Sequence, residues 1–236
     1  MEHHEHHKPE THVSHAKTTE QNAVERKPVD GKKSLMTVLV IVGIIVVIMG
    51  AIFIISKYVS KDNTSVTYNK YVFQKFEGNK WMTQQMIKGK LYEIPFYNNP
   101  TQVLDIPIDP ASVDTIRGFM LNRNGTVYVS IDPNESSKVV LAAVEYIRIL
   151  GNVYNIYNLN VKSAFNVQPN QTTDYPIMTC ADQSTNIIVI DQKVTGKNLI
   201  SVKGNCIIIE AINANESIRV ADAYAFKLLS IIPLNQ

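Results

Sequence analysis

The stretch Leu35–Ser56 constrains this chain more than any other feature, because it carries no charged residue over 22 positions. About 20 apolar residues are enough for an α-helix to cross the hydrocarbon core of a bilayer. A cleavable signal peptide has a shorter apolar core, roughly 7–15 residues, and small residues at its exit. Here the apolar stretch runs into Ser56, Lys57 and Tyr58. The sequence therefore predicts a retained transmembrane helix.

This predicted span, residues 35–56, divides the rest of the chain into three parts. Residues 1–34 form a polar tail that contains all six histidines and almost no large apolar residue, a composition that predicts disorder. Residues 57–65 are a predicted linker. The remaining residues, 66–236, are enough for one compact domain with a sizeable core.

Basic residues beside the span predict its orientation, because cytoplasmic flanks carry more Lys and Arg than the opposite side. Four basic residues precede the span and three follow it: Arg26, Lys27, Lys32 and Lys33, against Lys57, Lys61 and Lys70. We therefore expect a protein of the cell membrane with a cytoplasmic tail and an extracytoplasmic domain.

The chain has two cysteines, Cys180 and Cys206, and both lie in the domain. An oxidising exterior predicts a disulfide between them, and the alternative is a pair of buried free thiols. A bridge of this kind adds roughly 3–4 kcal/mol to stability.

Sequons for N-glycosylation occur only after the span, which fits an exposed domain. Those at Asn134 and Asn215 also have the composition of a capped helix start, which is the alternative interpretation of these two sites. The five candidate sites are Asn63, Asn124, Asn134, Asn170 and Asn215.

The domain is predicted to be α/β or α+β, a mixed sheet with two to three packed helices. Aromatic and β-branched residues predict one hairpin of two strands, Val66–Phe76 and Trp81–Tyr97. Shorter strands are predicted at Leu104–Ile108, Thr126–Ile131, Asn186–Asp191 and Cys206–Ala211, and the clearest helices near residues 138–150 and 216–231.

Two strand ends share a pattern: IDPNESSKVV from Ile131 and INANESIRVA from Ile212. Each predicts a strand, a capping side chain and a helix whose first turn carries Glu135 or Glu216. Helix starts at strand ends also bind anions, but these two glutamates would repel a phosphate. Capping is therefore the preferred interpretation.

No histidine follows the span, which excludes His-dependent triads, His general bases and ordinary His zinc sites from the domain. Carboxylates would have to carry any hydrolytic chemistry, but their spacing follows no catalytic motif, and capping or surface roles explain them. The sequence thus identifies no catalytic residue and favours a protein that is not an enzyme. The carboxylates considered are Asp109, Asp114, Asp132, Glu135 and Asp182.

Three predictions concern cofactors and partners. Four tail histidines, His3, His4, His6 and His7, are candidate ligands for Zn²⁺, Ni²⁺ or Cu²⁺, although no resident cofactor is predicted. The seven-residue spacing of Gly43 and Gly50 places both on one helix face, where they could contact a second copy. The domain has no long basic stripe, so no nucleic acid partner is expected.

Four segments in a fixed order carry a resemblance to a known group of proteins: KLYEIPFYNNPTQVLDIPID, VYVSIDPNESSKVVLAAVEYIRIL, TCADQSTNIIVID with GNCIIIEA, and ADAYAFKLLSII. Over most of residues 66–232 the chain resembles uncharacterised single-span, membrane-anchored envelope proteins of small-genome archaea. The resemblance implies an archaeal envelope protein with a paired CxD and GNC region, and it offers no catalytic site to transfer. A type IV pilin is a weaker interpretation.

The leading functional hypothesis is a membrane-anchored surface or envelope protein whose domain binds a protein partner or contributes structure. One alternative is an extracytoplasmic domain that binds sugars or peptides, or hydrolyses them with carboxylates. Another is a metal-responsive accessory protein that uses the histidine-rich tail.

Overall fold

A computed structural model describes residues 31–59, 65–121 and 125–235 of the chain. It separates into two compact units, Met1–Ser60 and Lys61–Gln236. The predicted disordered tail falls outside the described residues except at 31–34, which are helical.

Helix α1 spans Gly31–Val59 and extends beyond the predicted span at both ends. Its segment Leu35–Phe53 is long and apolar enough to cross a membrane, and none of that segment is buried inside the protein. The helix has the length and composition of a membrane anchor or a signal sequence.

The second unit begins with a four-stranded antiparallel meander in the order β1-β2-β3-β4. The sequence predicted one hairpin of two strands here, and this prediction is wrong because the segment forms four strands. Each predicted strand is interrupted by a two-residue turn, at Asn69-Lys70 and at Lys88-Gly89, where Asn69, Lys88 and Gly89 have positive φ. The strands are β1 (Ser65–Tyr68), β2 (Tyr71–Phe76), β3 (Lys80–Ile87) and β4 (Lys90–Phe96).

A five-stranded mixed sheet follows, in the order β6-β5-β7-β9-β8, parallel except for the β8–β9 pair. The sequence predicted neither β6, an edge strand in which three of the six residues are polar, nor β8. The predicted strand at 104–108 is wrong, since only Ile108 forms a bridge, to Ile200. The strands are β5 (Thr126–Ile131), β6 (Asn160–Phe165), β7 (Ile187–Val194), β8 (Leu199–Lys203) and β9 (Cys206–Ala211).

Three further helices, α2 (Ala111–Phe119), α3 (Ser137–Leu150) and α4 (Ala214–Leu228), complete the domain. The predicted cap of α4 is present, because the Asn213 side chain accepts hydrogen bonds from the amides of Asn215 and Glu216.

The helix predicted near residues 138–150 agrees with α3, but the prediction that Glu135 lies in its first turn is wrong. Asp132 first forms a turn of its own by accepting the amide of Asn134, and Ser136 then caps the helix. Glu135 therefore precedes α3 and does not lie in its first turn.

Helices α3 and α4 lie between the two sheets. Phe226 of α4 contacts Phe73 and Phe96 of the meander, with ring centroids 5.6 and 4.5 Å apart. Tyr146 of α3 donates a hydrogen bond to Gln192 of β7 at 2.6 Å. This arrangement confirms the predicted fold class, a mixed sheet with packed helices, and adds a second sheet that the sequence did not predict.

Candidate functional site

A polar cleft of about 420 Å³ lies where the parallel strands β5 and β6 end. In open α/β sheets, ligands bind beyond the carboxyl ends of the strands. We call it the carboxyl-end cleft, and it is lined by Pro133, Asn134, Phe165, Pro169, Asn170, Gln171, Thr172, Thr173 and Tyr175.

An aromatic pair forms one wall of this cleft. Tyr175 is 56% exposed, and its ring meets that of Phe165 edge to face with centroids 5.5 Å apart. The amide of Tyr175 donates to the Thr173 hydroxyl at 3.2 Å, which fixes the turn that carries the ring. An exposed ring with restricted motion is suited to contact with an apolar ligand face.

Apart from Pro133 and Pro169, the other side chains of the cleft are amides and hydroxyls, and none of the described lining residues is charged. Asn166, next to Phe165, donates to Asp191 at 2.9 Å, while its buried Oδ1 has no hydrogen-bond partner among the described residues. Uncharged donors and acceptors around an exposed aromatic ring are complementary to a neutral, hydroxyl-rich ligand such as a sugar.

A second polar cluster lies between α3, α4 and the meander, and the sequence missed it. Asp222 is fully buried, and its Oδ2 accepts hydrogen bonds from the backbone and side-chain nitrogens of Asn98, at 2.7 and 2.9 Å. Glu145 forms a buried ion pair with Arg148, which also donates to the carbonyl of Pro95. These contacts join both helices to the end of β4.

Burial, followed by the nearby charge of Glu145, raises the pKa of Asp222 well above its ordinary value. Burial also raises the pKa of Glu145, although the nearby charges of Arg148 and Lys80 oppose that change. Glu145 has the guanidinium of Arg148 as its partner, whereas the Oδ1 of Asp222 has no hydrogen-bond partner among the described residues. None of these side chains lines the carboxyl-end cleft. We therefore assign the cluster a structural role, in which it holds α3 and α4 against the end of the meander.

Helical periodicity predicts a solvent-facing side of α4 that includes Asp222 and Lys227, and this prediction is wrong. Both residues are buried. A helix enclosed by two sheets has no solvent face, so its polar side chains must find partners inside the protein.

The predicted carboxylates serve mainly their own turns. Asp109, Asp132 and Asp182 each accept a backbone amide, from Ala111, Asn134 and Thr179. Hydrogen bonds from Thr179 lower the pKa of Asp182. Asp114 is a surface partner of Arg117 at 3.9 Å, and neither Glu135 nor these four carboxylates line the carboxyl-end cleft.

Some of the other predicted site residues, those of the disulfide and of three sequons, lie within the described residues. A disulfide joins Cys180 to Cys206, as the sequence predicted, and it fastens the segment between β6 and β7 to β9. Asn134, Asn170 and Asn215 are exposed, and the first two line the carboxyl-end cleft, so a glycan on either would occupy it.

Asn63, Asn124 and the tail histidines His3, His4, His6 and His7 lie outside the described residues. Within the described ranges, no group of three or more His, Cys, Asp or Glu side chains is placed to hold a metal ion.

The outer surface of the meander is a third candidate. Val72, Phe76, Met86 and Leu91 are between 49 and 68% exposed. With Met82 they form what we call the outer meander face. A shallow groove of about 500 Å³ crosses this face, and Lys70 and Lys75 contribute to its walls.

Comparison with protein-family models, with curated proteins and with solved structures finds no match to this chain.

Proposed function

We propose that this chain is a single-pass membrane protein whose domain, residues 61–236, acts outside the cytoplasm as an interaction or structural module of the cell envelope. The observation that carries the proposal is the apolar segment Leu35–Phe53, wholly uncovered by protein and followed by a domain with a core of its own. Such a helix is stable in lipid and not in water. The exposed apolar side chains of the outer meander face supply a surface for a partner.

The disulfide supports the extracytoplasmic side of the proposal. Bridges persist in oxidising compartments and are rare where thiols are kept reduced. Neither cysteine of the domain is free.

Protease treatment of intact cells is expected to digest the domain and to leave the N-terminal tail protected. The measurement is immunoblotting with one epitope tag at each terminus, before and after permeabilisation. A C-terminal tag that survives on intact cells and disappears only after permeabilisation would contradict the proposed orientation. Crosslinking in the native membrane followed by co-purification then tests for an envelope partner.

A second candidate function is binding of a neutral, hydroxyl-rich ligand in the carboxyl-end cleft. It is favoured by the exposed Tyr175 ring, held against Phe165 and surrounded by uncharged amides and hydroxyls. Since no described lining residue is a carboxylate, binding is proposed here and hydrolysis is not.

Replacing Tyr175 by Ala is expected to weaken binding of neutral oligosaccharides to the full chain by roughly tenfold, because the stacking surface is lost. Isothermal titration of a panel of neutral oligosaccharides against the full chain measures the effect. The matched control is Phe76→Ala, which removes an equally exposed aromatic ring, 58%, outside the cleft. Equal losses in the two variants, or no binding by the wild type, would contradict this function.

Three sequence hypotheses stay predictions: the metal-responsive tail, the archaeal envelope family, and association through Gly43 and Gly50. In the described helix both glycines face open space, with no heavy atom within 4 Å of an added Cβ.

A further inference from the structure

A pocket of about 500 Å³ lies between the inner side of the meander, the ends of α2 and α4, and the segment 151–159. The register of β2 and β3 pairs Phe73 with Thr83, and both residues are buried. Because side chains alternate along a strand, Gln85 and Ile87 face the same inner side as Thr83. We call this space the inner meander pocket.

Much of the wall of the inner meander pocket is apolar. Tyr71, Ile87, Ile156 and Leu229 line it, and each of them is partly buried against the hydrophobic core. Cavities of roughly 300–1,000 Å³ with apolar walls and a few polar groups are the usual sites of small organic ligands. The pocket therefore has the size and the walls of a ligand site.

The charged side chains of this pocket are both basic. Arg117, in the last turn of α2, and Lys88, in the turn between β3 and β4, line it, and none of the described lining residues is acidic. Asp114 lies 3.9 Å from Arg117, but the two side chains are 66 and 40% exposed, so water screens this pair. The charge of the pocket is therefore complementary to an anion.

The end of α4, which also lines the pocket, does not need these cations. Each of its last four carbonyl oxygens, at residues 225–228, already accepts a hydrogen bond of 2.8 to 3.1 Å. The donors are the amides of Leu229, Ser230 and Ile231 and the hydroxyl of Tyr157. Neutralising free carbonyls of this helix is thus not what Arg117 and Lys88 do.

Both cations keep donors for a ligand. Lys88 donates to the carbonyl of Asn155 and Arg117 to the hydroxyl of Ser230, each at 2.9 Å. These acceptors are neutral, and a lysine has three N–H donors and an arginine five.

An unsatisfied amide belongs to the same pocket. Gln85 lines it, and the Nε2 of Gln85 is buried without a hydrogen-bond partner among the described residues. The last torsion of a glutamine side chain is soft, so a half-turn of the amide directs this nitrogen into the pocket. A buried N–H without an acceptor is unfavourable, and an acceptor oxygen supplied by a ligand removes that cost.

We propose that the inner meander pocket binds a small amphipathic carboxylate, whose acid group takes the donors of Arg117 and Gln85 near the charge of Lys88. An ionised carboxylate only accepts hydrogen bonds, which matches these donors, and the apolar part of the ligand covers Tyr71 and Ile156. An inorganic anion would leave the apolar walls uncovered. This inference goes beyond the proposed function and depends neither on the membrane anchor nor on the carboxyl-end cleft.

Isothermal titration of the full chain in detergent with 4-phenylbutyrate tests the proposal, with the heat of titration into detergent alone subtracted. The matched ligands 4-phenylbutanamide and 4-phenylbutylamine keep the apolar part and replace the acid by a neutral or a cationic group. We expect saturable binding of the acid to one site, binding of the amide at least about tenfold weaker, and no binding of the amine.

Replacing Arg117 by Met is expected to weaken binding of 4-phenylbutyrate by about tenfold or more, because a charge-assisted hydrogen bond is lost, and to leave binding of the amide unchanged. Lys88→Met, in an exposed turn, should weaken it by a smaller factor, and Gln85→Met should weaken it as well. The matched control is Gln84→Met, since Gln84 faces the outer side of the meander and donates to Glu93. Emission of Trp81 checks that each variant is folded.

Equal affinities for the acid and the amide, or no saturable binding of the acid, would overturn the proposal. Unchanged affinity in folded Arg117→Met and Lys88→Met would overturn it as well. Each of these results leaves the proposed membrane anchor untouched, because the titration does not measure membrane insertion.

Discussion

Replacing Cys180 and Cys206 together by alanine is expected to lower the free energy of unfolding by about 3.5 kcal/mol, the chain entropy of a closed loop of this length. The two cysteines are 26 residues apart in sequence. The bridge fastens the segment that follows β6 onto β9, and Met178 in that segment also accepts a hydrogen bond from Ser130 of β5. Without the bridge, the unfolded chain gains conformational entropy, and in the folded domain this segment loses its covalent cross-link to β9.

Urea unfolding of the full chain in detergent measures this loss through the fluorescence of Trp81. That residue is the single tryptophan of the chain and is 5% exposed in the domain, so its emission reports domain unfolding without a signal from α1. Reduced wild-type protein is the matched control, since it keeps both sulfur atoms in place. Identical unfolding midpoints for the oxidised and reduced wild type would show that the bridge does not stabilise the domain.

Replacing Arg148 by Met is expected to cost about 3–5 kcal/mol, because it leaves the buried charge of Glu145 without its partner. The side chains of Arg148 and Glu145 are only 13 and 5% exposed, so water cannot take over the role of the guanidinium. The carbonyl of Pro95, which accepts a hydrogen bond from Arg148, loses that donor as well.

The double variant Glu145→Gln with Arg148→Met distinguishes an unpaired charge from a simple loss of packing. Glutamine keeps the shape of Glu145 and removes its charge, so the double variant should regain most of the stability lost by Arg148→Met. The same urea titration of Trp81 fluorescence measures both variants. A double variant as unstable as the sum of the two single changes would contradict the charge argument.

The loss in Arg148→Met should also depend on pH, with a sign set by Glu145. Burial raises the pKa of Glu145 above its ordinary value of 4.5, and removal of Arg148 raises it further. The folded variant then holds a proton that the unfolded chain releases. The stability that this proton contributes is complete below the ordinary pKa and is lost as the pH rises through the raised one. The variant should therefore be closest to wild type in acid and furthest from it at neutral pH.

The sequence by itself determined the features that depend on neighbouring residues. The uncharged stretch Leu35–Ser56 is one, since its length alone suits a bilayer. The Asn213 cap of α4 is another, because a cap needs only the amides two and three positions ahead. Strands Thr126–Ile131 and Cys206–Ala211 were predicted with their observed bounds, because each is an apolar run between turn residues.

Only the tertiary structure decided which polar residues are buried. Asp222 of α4 and Glu145 of α3 are close together where these helices meet the meander, and no sequence pattern indicates that a second sheet will cover them. The carboxyl-end cleft likewise combines Asn134 from the end of β5 with Tyr175, some forty residues later in the chain. Local patterns fix helices, caps and turns, whereas burial and site assembly depend on contacts between distant segments, which no short window of sequence contains.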